Sequence, residues 1–281
     1  MTAAAMFVAA VTVGIWNGQW FPSGRAEHRA APEVEARTIA TAGAMLRAGL
    51  DRADPSGTND VILCLNEIRG METARALCEA IGRTNLHVAV VSGYRRRDRF
   101  DQQQDVIATT LPVAEANWSR WKNAKGKTPP RGYARARVVV SPTVTATVYA
   151  VHLKSNYGQT NDDIAYTNRV KRTLAVRQLV AQESPGTGKS GPVIVAGDFN
   201  ADRWGEAFKA ETIFTDFSDA GFSNALWLLP ATERVTHPKR GRWSGCALDY
   251  IMYRGLSPKG LPIIVPAGDV SDHNAVFQTF K

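Results

Sequence analysis

Residues 191–200 read G-P-V-I-V-A-G-D-F-N. Val193, Ile194, Val195 and Ala196 form an unbroken apolar run between Gly-Pro and Gly197, the pattern of a short strand buried on both faces. Asp198 and Asn200 follow at once with no periodicity around them, so they are expected at the strand's carboxyl end. Layered α/β proteins commonly hold their ligand crevice there. Gly, Asp and Asn are also ordinary turn residues, so this stretch gains weight only because other strands end in the same way.

Outward from it, the chain alternates buried-looking strands with helices. Val8 to Trp16 is an apolar, β-branched run ending at Asn17-Gly18, and Asp60 to Leu65 ends at Asn66-Glu67. Leu86–Val91, Asp105–Leu111, Ala247–Tyr253 and Ala275–Phe280 have strand character, the last preceded by Ser271-Asp272-His273-Asn274. Tyr133–Val140 and Thr145–Leu153 alternate around Ser-Pro-Thr and predict an antiparallel hairpin carrying His152. Apolar residues recur at helical spacing in Glu33–Leu50, Met71–Ile81 and Asp162–Ser184; in the last, Ile164, Val170, Leu174, Ala175 and Leu179 are expected inside and Lys171, Arg172 and Arg177 outside.

The chain has 281 residues, 44% of them hydrophobic and 21% charged, enough to bury a large core. No linker divides it, so one domain over 1–281 is expected. Thirty-four Lys and Arg against twenty-six Asp and Glu give a net charge of +8, which favours polyanionic partners. Two stretches concentrate this charge: Tyr94 to Phe100 (Y-R-R-R-D-R-F) and Trp118 to Arg131 (W-S-R-W-K-N-A-K-G-K-T-P-P-R). In the second, Trp118 and Trp121 stand among Arg120, Lys122, Lys125, Lys127 and Arg131, an acid-free loop suited to tracking a phosphate backbone and touching bases.

Cys64, Cys78 and Cys246 suggest neither a disulfide framework nor a zinc site. No run reaches the length of a membrane span. The apolar opening lacks a basic n-region, so no intact signal peptide is expected and no compartment is assigned. Gly186 to Ser190, G-T-G-K-S, follows a helix instead of a strand and lacks the first glycine of a P-loop, so it is not read as a nucleotide site.

Asn17, Glu67, His152, Asp198, Asn200, Asp249, Asp272 and His273 thus gather at strand ends. Jointly they supply oxygen ligands for a hard divalent ion and imidazoles for proton transfer, the requirements of metal-assisted phosphoryl transfer. With no cysteine among them, the set suits Mg²⁺ or Mn²⁺ better than zinc.

The segments I-W-N-G (15–18), L-N-E-I (65–68), Q-D-V-I-A-T-T-L-P-V (104–113), V-H-L-K-S-N (151–156), G-D-F-N (197–200), A-L-D-Y-I (247–251) and S-D-H-N (271–274) come in an order that resembles the endonuclease/exonuclease/phosphatase superfamily, which includes pancreatic deoxyribonuclease and exonuclease III. The resemblance spans nearly the whole chain and implies an α+β fold, a four-layer α/β/β/α sandwich of two mixed β-sheets flanked by helices. It implies a Mg²⁺-dependent hydrolase, with Mn²⁺ able to substitute, in which Glu67 is the principal metal ligand beside Asn17 and Asp272. His273 paired to Asp249 is implied as the acid-base histidine, Asp198 and Asn200 as groups orienting water and phosphate, and His152 as a second imidazole. Arg131 and Asn156 are expected to contact phosphate, with Trp118, Trp121, Lys122 and Lys125 holding the substrate. Asn66 departs from the Gln that many relatives carry before the glutamate. The expected substrate is DNA, with RNA also open; a phospholipid or inositol phosphate at an anionic membrane is the alternative. A catalytically inactive binding module has no support, since every acid, amide and imidazole of the set is present. The expected state is a monomer without an obligate protein partner.

Overall fold

The structure, a computed structural model, describes residues 10–281 apart from 25–28, 97–98, 125, 159, 185–190, 240 and 242–243. Val8, Lys125, the G-T-G-K-S stretch and parts of the basic runs at 94–100 and 237–243 therefore lie outside the described residues.

Two chain segments set the architecture, each a strand, a helix and a second strand lying parallel to the first. In the first, β1 (Val11–Phe21) leads through α1 (Pro32–Ala53) to β2 (Asp60–Ile68). After α2 (Met71–Ile81) come β3 (His87–Val91), the two-residue strands β4 (Arg95–Arg96) and β5 (Arg99–Phe100), β6 (Gln104–Thr109), β7 (Val113–Arg120) and β8 (Gly132–Ser141). The second segment runs from β9 (Val144–His152) through α3 (Asp162–Gln182) to β10 (Val193–Asp198). Then follow α4 (Ile213–Asp219), β11 (Ser223–Asn224), β12 (Asp249–Arg254), β13 (Pro258–Val265) and β14 (Ala275–Phe280).

The strands form two six-stranded sheets, ordered β13-β14-β1-β2-β6-β3 and β11-β12-β10-β9-β8-β7. Each holds one parallel pair, β1/β2 or β9/β10, and is otherwise antiparallel. A parallel pair needs a crossover helix, and here that helix covers the outer face of its sheet. Side chains between the sheets, among them Ile15, Ile62, Ile107, Val148 and Ala196, are fully buried. Leu46 and Leu50 of α1 and Leu77 and Ile81 of α2 cover the outer face of the first sheet against Leu63 and Phe277. Gly49 allows that approach, since a Cβ there would meet the Phe277 ring at 2.2 Å. The expected four-layer sandwich is the observed fold. Among the described residues, no helix is long and apolar enough to cross a membrane.

Three expectations need correction. The stretch from Trp118 is not wholly loop: Trp118 to Arg120 end strand β7, at the edge of the second sheet. Trp121 is 4% exposed and packs against Tyr133 with ring centroids 5.1 Å apart, so it fills core and presents no face to a substrate. Arg172, expected on the outer side of α3, is buried, whereas Ile164, expected inside, is 45% exposed. The guanidinium is tolerated there because it is paired with Glu211 and donates to Lys154 O and Asn156 Oδ1.

Candidate active site

A parallel pair places two carboxyl ends side by side, and an antiparallel neighbour begins where they end. Hence the ends of β9 and β10 coincide with the start of β12: His152, Asp198 and Asp249 are register partners in one row across the second sheet. On the first sheet, the end of β1 meets the end of β2, with Asn17 opposite Asn66, and β14 starts beside them. Residues scattered through the chain are thereby brought to one rim of the sandwich.

Local devices aim the side chains. The β1/β2 pairing is irregular between Asn17 and Phe21, and the β2/β6 pairing between Leu65 and Ile68, so Glu67 sits in a bulge. Glu67, Gln19, Trp20, Asn200 and Arg131 all have positive φ, between 51° and 61°, conformations that L-residues seldom adopt and that cluster at functional sites. Gly197 must lack a side chain, because a Cβ would lie 1.8 Å from Val151 O across the β9/β10 pair. The S-D-H-N turn is pinned to β1: Ser271 Oγ donates to Asn17 O at 2.7 Å, and Trp16 Nε1 donates to His273 O at 3.2 Å.

Asn17 stands at the centre of the cluster. Its Nδ2 donates to Asp198 Oδ2 at 2.9 Å and lies 3.4 Å from Glu67 Oε1, while its Oδ1 accepts from Gln19 N. Glu67 Oε2 accepts from Trp20 N at 3.0 Å. Asp198 also accepts from Asn200 N at 2.8 Å and from Asn200 Nδ2 at 3.0 Å. His152 Nε2 faces Asp198 Oδ2 at 3.5 Å and Glu67 Oε1 at 3.8 Å. Two carboxylate oxygens therefore converge on one amide hydrogen-bond donor. The Glu67 and Asp198 carboxylates offer oxygens of the kind that hold a hard divalent cation.

His273 Nδ1 is 2.8 Å from Asp249 Oδ2, which also accepts from Thr236 Oγ1 at 2.7 Å. The carboxylate makes Nδ1 the donor and turns Nε2 toward Asp198 Oδ2 and Asp272 Oδ1, each 3.9 Å away. Burial works against the His273 cation, but the charges of Asp249, Asp198 and Asp272 outweigh it and raise its pKa. Burial raises the pKa of Asp198, with Asp249 and Glu67 adding to the effect and His273 opposing it. The two imidazoles differ: burial, then the charges of Arg131, His273 and Lys154, hold His152 well below the usual histidine range.

Asn156 and Arg131 lie at this rim with their side chains engaged by the protein. Asn156 Nδ2 donates to Asn200 O and its Oδ1 accepts from Arg172. Arg131 donates to His152 O, Leu153 O and Gln103 Oε1, clamping the end of β9. Both brace the strand ends through these contacts. Trp118 is 40% exposed and meets Tyr94 edge-on at 5.7 Å. The Lys122 backbone is fastened to Gln178 of α3 and its side chain is exposed.

Of the network that supports Asp198, the sequence singled out Asn66 alone. Asn66 Oδ1 accepts from Asp198 N at 2.9 Å, and Asn66 Nδ2 donates to Asp105 Oδ1 at 2.7 Å; Asp105 Oδ2 accepts from Tyr94 OH at 3.0 Å. Asp105 at the head of an apolar strand was the available signal, since a buried carboxylate requires partners. Thr236, which holds Asp249, had no comparable signal.

Comparisons with known proteins agree with this architecture. The chain is 33% identical over 105 residues to a UPF0294 protein of Vibrio cholerae, a match covering 37% of this chain and 33% of that one. Among solved structures it resembles D. rerio TDP2 complexed with a single-strand DNA product, at 14% identity and TM-score 0.62, covering 97% of this chain and 99% of that one. It also resembles sphingomyelinase C from Streptomyces griseocarneus, at 15% identity and TM-score 0.59, with coverage of 97% and 99%. The profile of a hydrolase family that acts on phosphodiester bonds matches residues 36–273, a span that takes in Glu67, His152, Asp198, Asp249 and His273, and with it the chain belongs to the Endonuclease/Exonuclease/phosphatase family.

Proposed function

We propose that this protein is a Mg²⁺-dependent phosphodiesterase that hydrolyses DNA. The observation that carries the proposal is the Asp249–His273 pair facing Asp198 across a rim that also holds Asn17 and Glu67. Glu67, with Asn17 and Asp272, would hold the metal. When bound, the ion polarises a phosphoryl oxygen and offsets the charge that develops in the transition state. Asp198, fixed by Asn17 and Asn200, orients the attacking water and takes its proton; its raised pKa brings it nearer the working pH of a base. His273, kept protonated by its carboxylates, presents Nε2–H to a phosphate oxygen, and Asp249 holds the ring in place.

The net charge of +8 and the half-exposed Trp118 favour a nucleic acid, as does the likeness to a protein seen with single-strand DNA. The likeness to a sphingomyelinase keeps a phospholipid as the competing substrate. The test is incubation of pure protein with supercoiled, linear and abasic DNA, RNA and sphingomyelin vesicles, with Mg²⁺, with Mn²⁺ and after chelation. DNA cleavage in either metal, lost on chelation, is expected. Glu67→Ala, Asp198→Ala and His273→Ala should each lower turnover by roughly two orders of magnitude or more. Full activity in a well-folded His273→Ala variant would refute the assigned roles, and cleavage of vesicles alone would move the substrate to lipid.

A further inference from the structure

His237 has no task in the mechanism above, yet its position is closely fixed. Its backbone exchanges two hydrogen bonds with Cys246, each 2.9 Å, and Thr236 before it holds Asp249. The His237 ring meets His273 edge-on, with centroids 4.9 Å apart. His237 Nε2 lies 3.7 Å from Asp272 Oδ2, and His273 Nε2 lies 3.9 Å from Asp272 Oδ1. One ligand atom from each of these three residues falls within 4.8 Å of the others.

This trio differs in chemistry from the oxygen-rich cluster around Asn17. Two imidazoles and one carboxylate favour Zn²⁺ over Mg²⁺. Bonds of about 2.0–2.1 Å in a tetrahedral site would bring ligand atoms to about 3.4 Å apart. With one ligand atom from each residue starting within 4.8 Å of the others, closures of up to about 1.4 Å are needed, which the His237 and Asp272 side chains, 19% and 21% exposed, have room to make. His273 is already arranged as metal-binding histidines usually are: a carboxylate holds Nδ1–H and leaves Nε2 facing Asp198 and Asp272.

We infer that His237, Asp272 and His273 form a zinc site at the edge of the active site. Zinc held there replaces the proton on His273 Nε2, which is released to solvent, and takes up Asp272, a proposed Mg²⁺ ligand, so it inhibits the Mg²⁺-dependent reaction. The inhibitory half of the inference rests on the proposed hydrolase; zinc binding does not.

The experiment titrates the metal-free protein with Zn²⁺ by calorimetry, and with Co²⁺ as an absorbing substitute. His237→Phe keeps a ring against His273 but removes a ligand, and His237→Ala serves as a second variant; circular dichroism checks both folds. Loss of an outer-sphere partner weakens metal binding about 10–100-fold, so loss of this ligand should weaken Zn²⁺ binding by about 100-fold or more. In Mg²⁺ alone both variants should hydrolyse as the parent does, while the Zn²⁺ concentration giving half inhibition rises by a similar factor. Unchanged Zn²⁺ affinity in folded His237→Phe and His237→Ala overturns the site, and unchanged inhibition overturns its regulatory effect. If no substrate is cleaved but Zn²⁺ binds in a His237-dependent way, the zinc site stands and the hydrolase proposal falls.

Discussion

Asn66→Ala probes how far the position of Asp198 depends on a residue that touches no substrate. Asn66 is fully buried, and its amide makes two hydrogen bonds, one to the Asp198 backbone and one to the Asp105 carboxylate. Alanine strands both groups. A buried N–H without its acceptor costs roughly 1–3 kcal/mol, and a carboxylate losing one of its donors costs about as much or somewhat more. The sum, about 2–6 kcal/mol, is a large share of the 5–15 kcal/mol typical of a folded protein. Urea unfolding followed by tryptophan fluorescence at pH 7.5 should show the midpoint falling at constant slope. Turnover of the fraction still folded should drop about 100-fold, since a displacement of about 1 Å at a reacting group costs that much. A loss below about 1 kcal/mol with normal turnover would refute this account of the network.

Asp105 gives a pH signature: burial, reinforced by the charge of Glu67, raises its pKa to about 7 against the opposing effects of Arg131, Asn66 and Tyr94. The folded protein therefore holds this proton more tightly than the unfolded chain, and stability is lost as pH rises from about 4 through about 7. Of that decline, about 2–3 kcal/mol falls between pH 5 and 8. Asp105→Asn should flatten the stability profile over this range in urea unfolding, and a profile parallel to the parent's would contradict the assignment. The two tryptophans should separate cleanly. Trp121→Ala should lower stability by about 3–5 kcal/mol. Trp118→Ala should cost little stability but weaken DNA affinity by about 1–3 kcal/mol, with its salt dependence kept; Lys122→Ala should weaken binding and lower the salt slope by about 0.9 for one lost duplex-phosphate contact.

Strand ends were legible because local patterns announce them. V-I-V-A-G-D and V-I-L-C-L-N-E each give an apolar run followed by a polar residue, and β10 and β2 follow these runs closely. The hairpin β8/β9 and helix α2 were equally clear from spacing. Edge elements were harder to see. β13 contains Pro258, Gly260 and Pro262, which read as loop until β14 supplies a partner. β7 exposes most of its residues and lacks the alternation of a half-buried strand. Trp121 looked like a surface aromatic because it stands among lysines, and only the approach of Tyr133 from the neighbouring strand shows it to be core. His237 and Asn66 owe their places to contacts far along the chain, with His273 and with Asp198, which no local pattern encodes.

The pairing of β1 with β14 sets when the site comes into existence. Val11 lies against Phe280, so this ladder joins nearly the two ends of the described chain, and closing so long a loop carries one of the largest entropy penalties of any contact in the sheet. Such non-local pairing slows folding. If the second sheet forms first, it already aligns His152, Asp198 and Asp249. It still lacks a fixed His273, which the turn before β14 brings to Asp249 only when that strand docks on β1. Under the proposed mechanism, phosphodiester cleavage belongs to the finished fold alone, and a partly folded chain can meet its substrate without cutting it.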